Sequence, residues 1–205
     1  MKISQINTKF HNQNIDVHGN YVHFPGYTIV SHVIHPLPKS LIDLVNYLSS
    51  RELQKYYSFL LITSYHVTIN QFENVHEEHK SLLEEEQRKL KEQDTSIICT
   101  AEKLICSKAI LIEIQFKNDN DQNFENIIKN VRSNELQQAN ILHNYELSWH
   151  LALTYQYKDI ENNEIKAKFQ QIIENIPQTS KFPFHIPLDH IRICHYNDMT
   201  KFTPI

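Results

Sequence analysis

The stretch that decides the fold is Ser64-Tyr65-His66-Val67-Thr68-Ile69-Asn70, a short run of β-branched and aromatic residues around one histidine. Side chains alternate across a β-strand, so His66, Thr68 and Asn70 are predicted to share one face. The intervening side chains are aromatic or aliphatic and can be buried beneath helices. The pattern therefore predicts a strand that presents its histidine, threonine and asparagine on one side.

A second stretch repeats the pattern late in the chain, Ser148-Trp149-His150-Leu151-Ala152-Leu153-Thr154. By the same alternation, His150, Ala152 and Thr154 are predicted to share a face. If the two strands are neighbours, one imidazole can lie on either side of a phosphate. Near pH 7 a neutral imidazole can take a proton and an imidazolium can donate one. The pair therefore predicts acid–base chemistry that needs no metal.

Length, charge and composition narrow the class of protein. The chain has 205 residues, which predicts a single domain over 1–205 with a sizeable core. Its net charge of −4 argues against tight binding of duplex DNA, although a nucleotide or a short RNA strand in a local groove is compatible. With only two glycines, it cannot form a glycine-rich dinucleotide-binding loop or a Walker A loop.

Three cysteines without a C-x-x-C pair fit a reducing compartment, and no apolar run reaches transmembrane length. The amino-terminal residues do not have the pattern of a signal peptide. We therefore expect a cytoplasmic monomer that does not bind membranes, needs no cofactor and has a nucleotide or short RNA as its partner.

The rest of the chain alternates between helical and strand patterns. Ser40 to Asp43 has the spacing of a capping box and precedes a helical apolar stripe. The segment from Val75 to Gln93 is polar and predicts an exposed helix. Further amphipathic stripes start at Phe124 and Ile165. Strands are predicted over Tyr27–Val33, Phe59–Phe72, Ser96–Leu104, Ile110–Phe116, Trp149–Tyr157 and His190–Tyr196. The pattern of Ser96–Leu104 is also compatible with a helix. This order predicts an α+β fold with antiparallel sheets and helices on one side.

The chain resembles the 2H phosphoesterase superfamily, which is named for two His-x-Thr/Ser motifs. The resemblance is carried, in order along the chain, by Phe24–Val30, Ser64–Thr68, His150–Tyr155 and Tyr196–Phe202. It implies a bilobal fold in which two antiparallel sheets line a central groove and helices lie outside. It also implies metal-independent cleavage of a cyclic or linear phosphodiester of a nucleotide or RNA end.

The resemblance also assigns roles to residues. One of His66 and His150 deprotonates the attacking oxygen and the other protonates the leaving oxygen, in an order that the sequence leaves open. Thr68 is expected to hydrogen-bond a non-bridging phosphate oxygen. Asn70 and Thr154 complete the predicted substrate-binding set because the alternation places them on the histidine faces.

Ala152 departs from the family pattern, which has a hydroxyl two residues after the second histidine. Two hypotheses follow: a phosphodiesterase, or a nucleotide- or RNA-end-binding module whose chemistry is weakened. A third, metal-dependent hydrolysis, would use His76-Glu77-Glu78-His79, but its histidines are three apart whereas a zinc-protease helix needs four. A solvated helix face explains that segment better, and no metal ligands are predicted.

Overall fold

The computed structural model describes residues 14–50, 52–93, 97–116, 135–142 and 148–205. The strands in these ranges are β1 Gly26–His32, β2 Tyr57–Phe59, β3 His66–Gln71, β4 Ile97–Cys106, β5 Ala109–Gln115, β6 His150–Gln156, β7 Phe184–Leu188, β8 Arg192–Tyr196 and β9 Phe202–Pro204. The helices are α1 Lys39–Ser49, α2 Lys80–Lys91, α3 Glu135–Gln138 and α4 Asn163–Glu174.

All nine strands belong to one antiparallel sheet, in the order β7-β4-β5-β6-β3-β1-β8-β9, with β2 paired to β6. The prediction of an α+β fold rich in antiparallel strands is confirmed. Two separate sheets are not confirmed, because the two histidine strands β3 and β6 pair directly with each other. Each histidine strand is instead the inner member of one half of a continuous sheet.

The sheet curves so that its β7 edge returns toward β1. Val33, just after β1, forms a bridge with Leu188 at the end of β7. The Ile34 N–H also donates to the Pro187 carbonyl at 2.9 Å. This curvature encloses one large apolar cluster, to which Ile29, Val67, Ile112, Leu151 and Ile186 contribute from five strands.

Helices cover the core as the apolar stripes predicted, with differences at their ends. In α1, Leu41, Leu44 and Leu48 are fully buried, each stabilising the fold by ~1.5–3 kcal/mol. The predicted capping box is wrong, because the helix begins one residue before Ser40 and its N-cap is Pro38, which has no side-chain donor or acceptor.

Helix α2 is less exposed than its polar composition predicted. Leu83, Glu86, Gln87 and Leu90 are buried. The Gln87 side-chain oxygen accepts a hydrogen bond from the backbone N–H of Ile193 at 2.6 Å, which fixes the helix to β8. The stripe predicted from Phe124 lies outside the described residues. Among the described residues, no helix is both long enough and apolar enough to cross a membrane.

Candidate active site

The register of β3 and β6 brings both histidine motifs to one face of the sheet. Val67 lies opposite Leu151, so the next positions place Thr68 opposite His150 and His66 opposite Ala152. Opposite residues of an antiparallel pair project to the same side. We call the side that carries His66, Thr68 and His150 the histidine face. The two histidines are diagonal neighbours on it, a relation that corresponds to a separation of ~7–8 Å.

Each histidine is held by the carbonyl group two residues before it. The Nδ1 atom of His66 lies 2.7 Å from the Ser64 carbonyl oxygen, and that of His150 lies 2.9 Å from the Ser148 carbonyl oxygen. A carbonyl oxygen can only accept, so Nδ1 carries the hydrogen in both rings. The lone pair of each neutral imidazole is therefore on Nε2. The common Ser-x-His sequence thus produces the same tautomer at both positions.

Burial keeps both imidazoles neutral in the free protein. His66 is only 7% exposed, and burial is the main reason that its pKa falls to about 4. The Ser64 hydrogen bond opposes this shift, whereas His32 and His150 add to it, because a charge on either would repel an imidazolium at His66. Burial also lowers the pKa of His150. The electrostatic influence of His150 on His66 agrees with their diagonal placement.

A β-bulge follows the first histidine motif and changes the face of Asn70. The register of β1 with β3 shifts between Ile29 and Val30, so Thr68 lies opposite Val30 but Asn70 lies opposite Ile29, a core residue. The prediction that Asn70 shares a face with His66 and Thr68 is therefore wrong. Asn70 is 1% exposed, and its side-chain oxygen accepts from the N–H of Gln71 at 2.8 Å.

A second bulge follows the second motif at the equivalent place. The register of β5 with β6 shifts so that Ala152 pairs with Leu111, whereas Thr154 pairs with Ile110. Thr154 is fully buried, and its hydroxyl oxygen accepts the Ile110 N–H at 3.1 Å. Thr154 therefore does not lie on the histidine face, and the prediction from strand alternation is wrong. Its hydroxyl instead accepts a backbone hydrogen bond at the bulge. Asn70 and Thr154, which were predicted to bind substrate, therefore do not lie beside the two histidines.

The hydroxyl of Thr68 is the polar group that the motifs leave available beside the histidines. Thr68 is half-buried, and within the described part of the chain its hydroxyl makes no hydrogen bond. In the second motif Ala152, 9% exposed, occupies the position that would match it. The site is therefore asymmetric, with two imidazoles and one threonine hydroxyl.

Two further side chains contact His66, although neither was predicted from the sequence to belong to the site. His32 lies opposite His66 in the register of β1 with β3, and their ring centroids are 6.1 Å apart. Phe202 of β9 lies closer, with its ring centroid 4.0 Å from that of His66. Alternation along β1 puts His32 on the face of Val30, and Phe202 belongs to the tail segment of the family resemblance.

Other charged candidates have partners of their own. Arg192 lies opposite Val30 and forms an ion pair with Asp189. His79 accepts the backbone N–H of His76 through Nδ1 at 3.0 Å, so the His-Glu-Glu-His segment closes the turn before α2. Within the described ranges, no group of three or more potential ligands is placed to hold a metal ion.

A family model matches part of the chain. Residues 14–94 match the family model 2H-phosphodiest, described as a domain of unknown function (DUF1868). The match covers 81 of the 205 residues, and this segment is similar to the 2H phosphoesterase family. The matched segment includes the first histidine motif, and the structure places the second motif beside it.

The fold also has a solved counterpart. The chain is similar to the conserved protein of unknown function ATU0111 from Agrobacterium tumefaciens str. C58, known from a crystal structure. The TM-score is 0.63 at 12% sequence identity, over 98% of this chain and 93% of that one. This similarity concerns the fold. No curated protein matches the chain.

Proposed function

We propose that this protein is a metal-independent phosphodiesterase that cleaves a cyclic or linear phosphodiester of a nucleotide or RNA end. The observation that carries the proposal is the diagonal placement of His66 and His150 on β3 and β6, with the same tautomer in both rings. Two Nε2 atoms on one face can flank a phosphate, one as a base and the other as an acid. The similarity of residues 14–94 to the 2H-phosphodiest family model supports the same chemistry.

The reaction follows from these groups. One Nε2 takes a proton from the attacking water or hydroxyl while the oxygen of that water or hydroxyl forms a bond to phosphorus. The other imidazole, protonated, donates its proton to the leaving oxygen as the bond between that oxygen and phosphorus breaks. Both histidines are neutral in the free protein, so the acid must gain its proton when the anionic substrate arrives and raises its pKa. The Thr68 hydroxyl then hydrogen-bonds a non-bridging oxygen.

We further propose that residues 1–205 act as one bilobal domain and as a cytoplasmic monomer. The two half-sheets support the bilobal part, because each contains one histidine strand and one bulge after its motif. The groove between the halves would hold the phosphodiester, and the net charge of −4 favours a small nucleotide or short RNA over duplex DNA.

Ala152 favours a second candidate, a module that binds nucleotides or RNA ends with little turnover. Loss of one donor to the developing charge typically costs ~10²–10³ in rate. The binding hypothesis shares the site with the enzyme hypothesis but predicts affinity without catalysis.

A substrate panel with excess chelator tests the proposed function. The panel contains nucleoside 2′,3′-cyclic phosphates, short oligonucleotides with 2′–5′ and 3′–5′ linkages, and cyclic dinucleotides. We expect turnover of at least one member, unchanged by chelator. Affinity for a member without turnover would support the binding module. Activity that chelator abolishes and zinc or manganese restores would contradict the two-histidine mechanism.

Ala152→Thr is expected to raise turnover, by up to ~10²–10³, because it returns a hydroxyl donor to the histidine face. Steady-state kinetics on the best panel member would measure the change, with Ala152→Ser as the smaller substitution if threonine overpacks the position.

Thr154→Val is the matched control. It should lower the free energy of unfolding by ~1–3 kcal/mol, since the Ile110 N–H loses its acceptor. A loss of turnover in Thr154→Val without loss of stability would show that Thr154 contributes to substrate binding or catalysis.

A further inference from the structure

The ring of Phe202 covers His66 from the carboxyl-terminal hairpin. Phe202 lies in β9, opposite Tyr196 of β8, and β8 in turn pairs with β1. From there its ring centroid comes within 4.0 Å of the His66 ring centroid at an interplanar angle of 51°. Phe202 is itself only 7% exposed. The contact therefore joins two residues that are distant in sequence and both shielded from water.

A small apolar cluster, separate from the main core, fixes this phenylalanine. Its buried members are Val30, Cys194 and Phe202, with Tyr196 and Met199 packed against them. Gly26 makes room for Tyr196, because a Cβ on Gly26 would stand 2.5 Å from the Tyr196 hydroxyl oxygen. Gly26 thus lets the hairpin approach β1. The position of Phe202 is set by packing on several sides.

We propose that Phe202 is a positioning residue for His66: its ring fixes the orientation of the imidazole and shields it from water. The proposal rests on the proposed function for its catalytic meaning, but the contact and its physical effect do not depend on turnover. Removal of water from an imidazole penalises its charged form. That penalty is the main cause of the lowered pKa of His66.

The charged and titratable groups around His66 act in the same direction. His32 faces it from β1 and His150 from β6, and a positive charge on either disfavours an imidazolium at His66. At the start of β8, the ion pair of Arg192 with Asp189 faces His32. No acidic group contributes to the shift in the His66 pKa, whose causes are burial, Ser64 and the two histidines.

The contact with Phe202 distinguishes the roles of the two histidines. Within the described residues, no aromatic ring packs against His150 as Phe202 packs against His66. His150 is also the more exposed of the two. His66 is therefore the general base, with its Nε2 lone pair retained, and His150 is the general acid that is protonated when substrate binds.

The test is a proton–carbon NMR titration of the imidazole resonances of the full-length protein, with Phe202→Ala and Phe202→Leu as variants. We expect Phe202→Ala to raise the pKa of His66 by ~1–2 units, toward the value of a solvated imidazole, and Phe202→Leu to raise it less. Met199→Ala is the matched control, since it loosens the same small cluster and leaves the His66 pKa unchanged. On an active substrate, the acidic limb of kcat/KM should move to higher pH by the same shift.

An unchanged His66 pKa in folded Phe202→Ala would overturn the proposal, as would an equal shift in Met199→Ala. If Phe202→Ala does not fold, Phe202→Leu decides: a His66 pKa that stays at the wild-type value contradicts the shielding role. Failure of the proposed function has a different signature, because wild-type protein would then turn over no panel member while the His66 pKa still responded to Phe202.

Discussion

Replacing either His66 or His150 with alanine is expected to lower kcat by ~10²–10⁴, the usual contribution of a positioned acid or base. Each variant retains Thr68 and the rest of the histidine face, so substrate affinity should change less than turnover. The double variant should lose little more than the worse single variant, because the two imidazoles act in one proton-transfer step. Steady-state kinetics on the best panel member, with circular dichroism to verify folding, measures all three effects.

His185→Ala is the control for this experiment. His185 is an exposed histidine on β7, at the far edge of the sheet, and should leave kcat unchanged. A folded His66→Ala or His150→Ala variant with wild-type turnover would remove that residue from the chemistry. A turnover loss in the double variant equal to the product of the single losses would show that the two side chains act independently.

The sequence predicted the two strands that carry the histidines but not the faces of all their residues. Alternation works from His66 to Thr68 and from His150 to Ala152. It fails for Asn70 and Thr154 because each strand contains a β-bulge after its motif. A bulge adds one residue to one strand of a pair, and its position depends on the partner strand as well as on local sequence. Alternation within one strand therefore could not reveal it.

Long-range pairing accounts for the other differences. His32 and Phe202 reach His66 through β1 and β9, and neither has a local pattern that indicates a site. The pairing of β3 with β6 also merges the expected two sheets into one. The apolar stripe of α1 was predictable because helical periodicity is local, whereas the start of that helix at Lys39 was not.

The buried histidine also predicts a pH dependence of stability. In the unfolded chain the imidazole of His66 has a pKa of about 6.5, whereas in the folded protein it is about 4. Between these values the unfolded state binds more protons, so the free energy of unfolding falls as the pH decreases. The contribution of His66 is fully present above pH ~6.5 and is lost as the pH falls toward ~4. The lowered pKa values of His32 and His150 act in the same direction.

Urea denaturation near pH 7.5 and near pH 5.0 is expected to show this effect most clearly in a comparison with His66→Asn. The asparagine amide can still donate to the Ser64 carbonyl but does not titrate. The wild-type protein should lose ~2 kcal/mol more stability than His66→Asn over this interval, because His66 must be protonated in the unfolded state but not in the folded one. His185→Asn removes an exposed histidine and should leave the wild-type difference intact. Equal losses in wild type and His66→Asn would mean that His66 titrates normally in the folded protein, and the shield around it would then be ineffective.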